Sequence, residues 1–180
     1  MEKISTIFVF LLISMNFGGF PSFAEENKSQ SPIKTVALHE CKDQTLGLQF
    51  LCNPDWELEA HDQSMLIIIS SDPAVTLTIS KAKSPVIFFE QLTDTALKEM
   101  GQYVDGFTKE KVQIAGENAT KVMGYSIGYP EIRLLDFYFL RDFELYSILF
   151  SVNPKEKFSD YESLFISIIT SIQFLNKKGG

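Results

Sequence analysis

The chain has little of what active chemistry is usually built from. Of its 180 residues, two are histidine, two are cysteine and one is tryptophan. There is no Gly-x-Ser-x-Gly elbow, and two histidines leave few bases to serve any serine or cysteine nucleophile. Lysine and arginine are scattered, with no basic stripe beyond the terminal Lys177-Lys178, and the net charge is −7. That balance repels nucleic acid and anionic lipid, so no nucleic-acid partner is expected. Long apolar runs are also missing outside the N-terminus, and the mature form is not expected to span a membrane.

The N-terminal run is the most informative stretch. Lys3 sits in a short polar start, followed by Ile7-Phe8-Val9-Phe10-Leu11-Leu12-Ile13, then Gly18-Gly19, Pro21 and the triplet Ser22-Phe23-Ala24. Small residues at the first and third places of that triplet complete the layout of a cleavable export signal. An uncleaved anchor is the alternative, since no charge falls between Ile4 and Ala24. Asn16, the glycine pair and Pro21 interrupt its second half, however, and the apolar core has signal-peptide length. No cysteine follows the triplet, which argues against a lipid anchor there. Residues 1–24 are therefore read as a signal peptide and 25–34 as a flexible polar leader. Residues 35–175 form one domain and 176–180 a tail. Glu2 and Lys3 cancel, so the acidity belongs to the mature chain, expected in the periplasm or outside the cell.

Cys41 and Cys52 both lie in the exported part. In an oxidising compartment two cysteines this close usually pair. Closing the loop would restrict the unfolded chain by roughly 2–3 kcal/mol. A tight hairpin turning at Asp43-Gln44 would set Cys41 opposite Leu46, so pairing demands a looser or shifted connection. Two separate buried thiols are the alternative. The same residues give the sharpest metal candidate, in which His39, Cys41, Cys52 and His61, with Glu40, surround zinc or copper. Their spacing matches no established ligand pattern, and Glu40 points away from His39 and Cys41 on a strand. A disulfide with two surface histidines is the favoured reading, with no metal and no other cofactor.

Hydrophobic periodicity then orders the elements. Thr35 to Glu40, Leu46 to Cys52, Ser64 to Ser71 and Val75 to Ile79 read as strands, with Asn53-Pro54-Asp55 and Asp72-Pro73-Ala74 as turns. Phe88, Phe89, Leu92, Ala96, Leu97 and Met100 recur at helical spacing, and Gly101 and Gly106 end that helix. Four strands follow, Lys111–Ala115, Ala119–Ile127, Ile132–Leu140 and Phe143–Val152, joined by short turns that make antiparallel neighbours. A second helix spans about Ser159 to Ile172, with Ser159 as N-cap and Glu162 three residues on. Ile172 to Leu175 is a short closing strand. The result is an α+β domain, an antiparallel sheet with two main helices packed on it.

Three landmarks carry a family resemblance. They are Leu46-Gly47-Leu48-Gln49-Phe50 running into Asn53-Pro54-Asp55-Trp56, the hairpin Val112-Gln113-Ile114-Ala115-Gly116-Glu117-Asn118-Ala119, and the close Ser171-Ile172-Gln173-Phe174. Together they resemble the PsbP-like and DcrB-like family of small exported α+β domains, from Leu46 to Phe174. The resemblance implies a binding or assembly module, such as an extrinsic subunit of a photosynthetic complex, an envelope protein or a chaperone. It brings no shared catalytic residues, and the cysteine pair is not part of its pattern.

Two further features compete for function. Asp136 is the only acid deep inside an apolar strand, and it is read as lying on the wetter face beside Arg133 or a lysine. Alternation sends Leu135, Phe137 and Phe139 to one face and Leu134, Asp136, Tyr138 and Leu140 to the other. A sheet apolar on both faces needs cover or a partner. Tyr125, Tyr138 and Tyr146 are therefore candidate lining for a groove. The expected function is an exported, non-catalytic binding or assembly module of the cell envelope, with a protein partner or an apolar ligand. The alternative is a secreted protein that binds a metal or carries a hydrophobic ligand.

Overall fold

The computed structural model describes residues 37–71, 74–84 and 104–175, all within the unit Ala37–Gly180. The expected signal peptide, leader, tail and first helix (Phe88 to Met100) lie outside the described residues.

Among the described residues are ten strands, one α-helix and a single 3-10 turn, Lys155–Lys157. A three-stranded sheet has the order β1 (His39–Asp43), β2 (Leu48–Cys52), β10 (Gln173–Phe174). The other seven strands are β3 (Glu57–His61), β4 (Met65–Ser71), β5 (Ala74–Lys83), β6 (Val104–Ile114), β7 (Glu117–Ser126), β8 (Arg133–Arg141) and β9 (Glu144–Asn153). They form one antiparallel sheet ordered β3-β4-β5-β9-β8-β7-β6. The helix α1 (Phe158–Thr170) follows β9.

Period-two alternation assigns the faces. Leu66, Ile68, Leu77, Ile79, Leu135, Phe137, Phe139, Ile148 and Phe150 share the inner face and pack with Phe158, Phe165, Ile168 and Ile169 of α1 and with Leu48 and Phe50 of β2. Phe165 is central, its ring stacked 4.4 Å from Phe150 and flanked by Phe158, Tyr161 and Trp56. The outer face carries Ile67, Thr78, Thr120, Val122, Leu134, Asp136, Tyr138, Ser147 and Leu149, which are also buried. Both faces of the sheet are thus removed from water, as the alternation implied.

Several expectations are corrected. Among the described residues there is one helix, the second of the two expected, the first falling outside them. Its N-cap is Lys157, with no side-chain cap, and Ser159 sits inside the first turn. The pair β1/β2 is displaced towards the C-terminus, since Lys42 and Asp43 belong to β1. The edge strand β3 has no counterpart in the predicted elements. Its exposed Glu57-Leu58-Glu59 offers no buried stripe, and a bulge falls between Leu58 and Ala60. At the other edge, β6 begins seven residues before Lys111, and its long exposed run hides the alternation.

Gly124 is required where that edge strand crosses it. A methyl group there would run into Val104 Cγ1 and stand 3.0 Å from the Asp105 carbonyl oxygen, at the irregularity between Asp105 and Thr108. Two hairpins close with two-residue turns whose residues have positive φ: Ala115 (50°) and Gly116 (86°), then Asp142 (51°) and Phe143 (61°). Positive φ in both places is the primed turn that matches strand twist, and it favours Asn-Gly or Asp-Gly. Phe143 is therefore in the wrong conformation for a bulky residue, and its ring is 65 % exposed, so little is recovered by packing. Phe143→Gly should raise stability by about 1 kcal/mol, read as a higher denaturant midpoint at unchanged slope.

Candidate functional site

Three places deserve chemical description, and the candidate residues are distributed among them. The first is the inner face of the small sheet. On β1, His39, Cys41 and Asp43 alternate inward; on β2, Leu48, Phe50 and Cys52 do the same. The connection between the strands is the four residues Gln44 to Gly47, so Cys41 pairs with Phe50 and His39 with Cys52. That is the shifted register the disulfide needed, and Cys41 and Cys52 are bonded across the diagonal with their Cα atoms 5.9 Å apart. Neither cysteine is free.

Asp43, which the sequence did not single out, organises this turn. Its Oδ1 accepts the Thr45 and Leu46 amides at 2.9 and 2.8 Å. Its Oδ2 lies 2.8 Å from His61 Nε2 on β3, joining the small sheet to the edge of the large one. An aspartate followed by Gln44-Thr45-Leu46 and Gly47 at φ 72° is an Asx-type turn signal that was available in the sequence. His61 is thereby separated from the proposed four-residue metal set. His39 stays, with Nε2 3.4 Å from Cys41 Sγ. Glu40 faces away, bonded to Lys42 and Gln49.

The second place is the outer face of the large sheet. Asp136 is 3 % exposed, contrary to the expected wet position, and among the described residues it forms no ion pair. Ser147 donates to its Oδ1 at 3.0 Å, while among the described residues Oδ2 and the Tyr138 hydroxyl are buried without a hydrogen-bond partner. Burial is the main reason the Asp136 carboxyl rises from 3.8 to about 7; the nearby Tyr138 hydroxyl and Ser147 act in the opposite direction. Burial, then the Asp136 charge, raise Tyr138 well above its ordinary value.

The third place is the Tyr125 end of β7. Tyr125 is 37 % exposed, with the Arg133 guanidinium 4.2 Å and the Lys155 ammonium 5.4 Å from its ring centroid. Among the described residues neither cation has an ion-pair partner. Asp105, opposite Tyr125 on β6, turns its carboxylate to the Gly106 amide at 2.7 Å. Exposed Ile127 and Tyr129 follow in the next loop.

The three tyrosines proposed to line one groove do not meet. Tyr138 is on the outer face, whereas Tyr146 is buried on the inner face, stacked 5.0 Å from Phe139 and donating to the Leu46 carbonyl. Its hydroxyl is pushed up to about 12 by burial and by Glu144. Only Tyr125 presents its ring to solvent. Register puts Tyr138 on the face opposite the other two, and length along the strands separates Tyr125, opposite Arg133, from Tyr146, opposite Phe139 six residues further along β8.

No family model matches the chain, and no curated protein matches its sequence. Solved structures do. The solution structure of cyanobacterial PsbP (CyanoP) from Synechocystis sp. PCC 6803 matches with a TM-score of 0.58 at 14% identity, covering 82% of this chain and 98% of that one. A protein of unknown function, PA94 from Pseudomonas aeruginosa, gives 0.48 at 14% identity, covering 72% and 91%. A protein from Bacteroides thetaiotaomicron VPI-5482 gives 0.48 at 12%, covering 74% and 47%. The chain has a PsbP-like fold; at this identity the likeness is one of fold alone. Among the described residues no helix is long and apolar enough to cross a membrane.

The Asp136 site makes a pH prediction. Its folded value is above its unfolded one, so between about pH 4 and 7 the native state holds a proton that the unfolded state has lost. Stability should fall as pH rises through that window, by on the order of 4 kcal/mol, and flatten above it. Asp136→Asn should abolish the slope and be more stable than the parent at pH 8, as measured by urea unfolding across pH.

Proposed function

We propose that this chain is an exported, non-catalytic binding or assembly module of the cell envelope, released from a signal peptide at residues 1–24. The observation that carries the reading is architectural: the match to cyanobacterial PsbP runs over nearly all of that protein and most of this one. The disulfide supports an oxidising destination. The sequence-level resemblance to the PsbP-like and DcrB-like family, read from Leu46 to Phe174, points the same way.

The docking surface in this reading is the Tyr125 end, and the partner is a protein that offers carboxylates. Arg133 and Lys155 are held over an aromatic ring, and among the described residues neither has an ion-pair partner, so they can accept a partner's acidic side chains without breaking such a pair. Tyrosine and arginine together are also the residues that most often carry interface energy. Affinity capture from the native envelope fraction, repeated with Tyr125→Ala and Arg133→Ala, tests this. Each variant should recover the same specific partner at least about tenfold less well while melting like the parent. Equal recovery by both variants would remove the surface from consideration. Capture from the cytosol, with residues 1–24 still attached, would remove the export.

A second reading, a carrier of an apolar small molecule, is favoured by one observation. Among the described residues, Asp136 Oδ2 and the Tyr138 hydroxyl are two buried polar atoms without a hydrogen-bond partner. A ligand with a hydroxyl or amide would satisfy both. Native mass spectrometry should then show a co-purified mass that Asp136→Asn together with Tyr138→Phe eliminates.

A further inference from the structure

We propose that Cys41 and Cys52, once reduced, combine with His39 into a three-ligand zinc site, so that one corner of the fold holds either a disulfide or a metal ion. The inference is independent of the partner reading above.

The geometry is close to what zinc requires. One donor atom from each of His39, Cys41 and Cys52 lies within 4.8 Å of the others. Bonds of about 2.1 Å to nitrogen and 2.3 Å to sulfur, at a tetrahedral angle, place a nitrogen and a sulfur about 3.6 Å apart and two sulfurs about 3.8 Å apart. His39 Nε2 already stands 3.4 Å from Cys41 Sγ. Only the two sulfurs are too close, because they are bonded to each other, and reduction removes that constraint. With Cα atoms 5.9 Å apart, side-chain rotation alone can open the pair.

The backbone that carries the donors is fixed by the β1–β2 ladder, which pairs His39 with Cys52 directly. Cys52 is buried and Cys41 half-buried, whereas His39 is exposed, so an ion would be shielded on one side and open on the other. The fourth position is left for water or a partner's ligand, the arrangement of open rather than purely structural zinc sites. His61 is not available, since it is held by Asp43, and Glu40 points to the opposite face. The donor set is therefore two sulfurs and one imidazole, soft enough to select zinc over calcium or magnesium.

The conversion needs a reductant, and a dithiol supplies it. One thiolate of the dithiol attacks Cys41 Sγ, the more accessible sulfur, and Cys52 leaves as a thiolate that takes up a proton. The second thiol of the donor then resolves the mixed disulfide. The donor ends as its own disulfide, two electrons oxidised, and both cysteines end as thiols. Zinc binding displaces the two thiol protons to solvent, and His39 contributes Nε2.

The test is a zinc titration of the full chain against a chromophoric chelator, before and after treatment with a phosphine reductant, with circular dichroism recorded throughout. The reduced chain should take up one zinc at least about a hundredfold more tightly than the oxidised chain, releasing close to two protons at pH 7. Cobalt substituted at the site should show a thiolate charge-transfer band. Cys52→Ser should abolish that band, His39→Ala should weaken binding at least about tenfold, and His61→Ala should leave it unchanged. Equal affinity before and after reduction, loss of binding with His61→Ala but not with His39→Ala, or collapse of the fold on reduction would each overturn the proposal.

Discussion

The contact on which the rest of this fold depends is the stack of Phe165 on Phe150. It seats α1 on the inner face of the large sheet, and burying a ring of this kind contributes about 2–3 kcal/mol. The helix in turn places the small sheet. Ser171, at its C-terminal end, accepts the Leu51 amide at 2.8 Å and donates to the Ile168 carbonyl at 2.6 Å. Two residues later β10 pairs with β2, and Phe174 sets its edge against Phe139 and Tyr146. Shift the helix and β2 moves with it, together with Cys52, the register that joins it to Cys41, and the turn held by Asp43. The bonds from His61 and Tyr146 tie the same small sheet to the large one from two further points.

The two faces of the large sheet are buried in different ways. The inner one is apolar and aromatic, and the Tyr146 hydroxyl on it donates to the Leu46 carbonyl. The outer one mixes Val122, Leu134 and Leu149 with Thr78, Asp136, Tyr138 and Ser147. A buried carboxyl with one unpaired oxygen is a cost to folding, and an asparagine or leucine would be cheaper there. Departures of this sort from local consistency cluster at functional positions. The same sheet thus has one face organised for stability and another that gives up some of it.

Much of the architecture could be read from periodicity. The strands around Ile67, Leu77, Val122, Phe137 and Ile148 are apolar enough to be central, and they are. Their facing was also legible, since Leu135, Phe137 and Phe139 do share a side opposite Asp136 and Tyr138. The terminal helix was found from the stripe of Phe158, Tyr161, Phe165 and Ile168. Legibility ended at the edges: β3 and the first half of β6 bury little, so they lack the signal that alternation provides. Site residues were harder, because their roles depend on register. Whether Cys41 meets Cys52 turns on a four-residue connection that composition does not specify. His61 looked like a partner of His39 until Asp43, at the turn, proved to be the group it reaches. Arg133 was expected beside Asp136 and Lys155 was an ordinary scattered cation, but β8 and the segment after β9 bring both over the Tyr125 ring.

The two outermost strands of the large sheet end its growth. Each carries an irregularity, between Leu58 and Ala60 on β3 and between Asp105 and Thr108 on β6, and each exposes charge along its free edge: Glu57 and Glu59 on one, Lys109, Glu110 and Lys111 on the other. A second copy trying to add a strand would meet a backbone that bends out of line and side chains that must be desolvated. Fibre formation by strand addition is thereby discouraged at both ends, which matters for a β-rich polypeptide whose unpaired strand edges would otherwise template association.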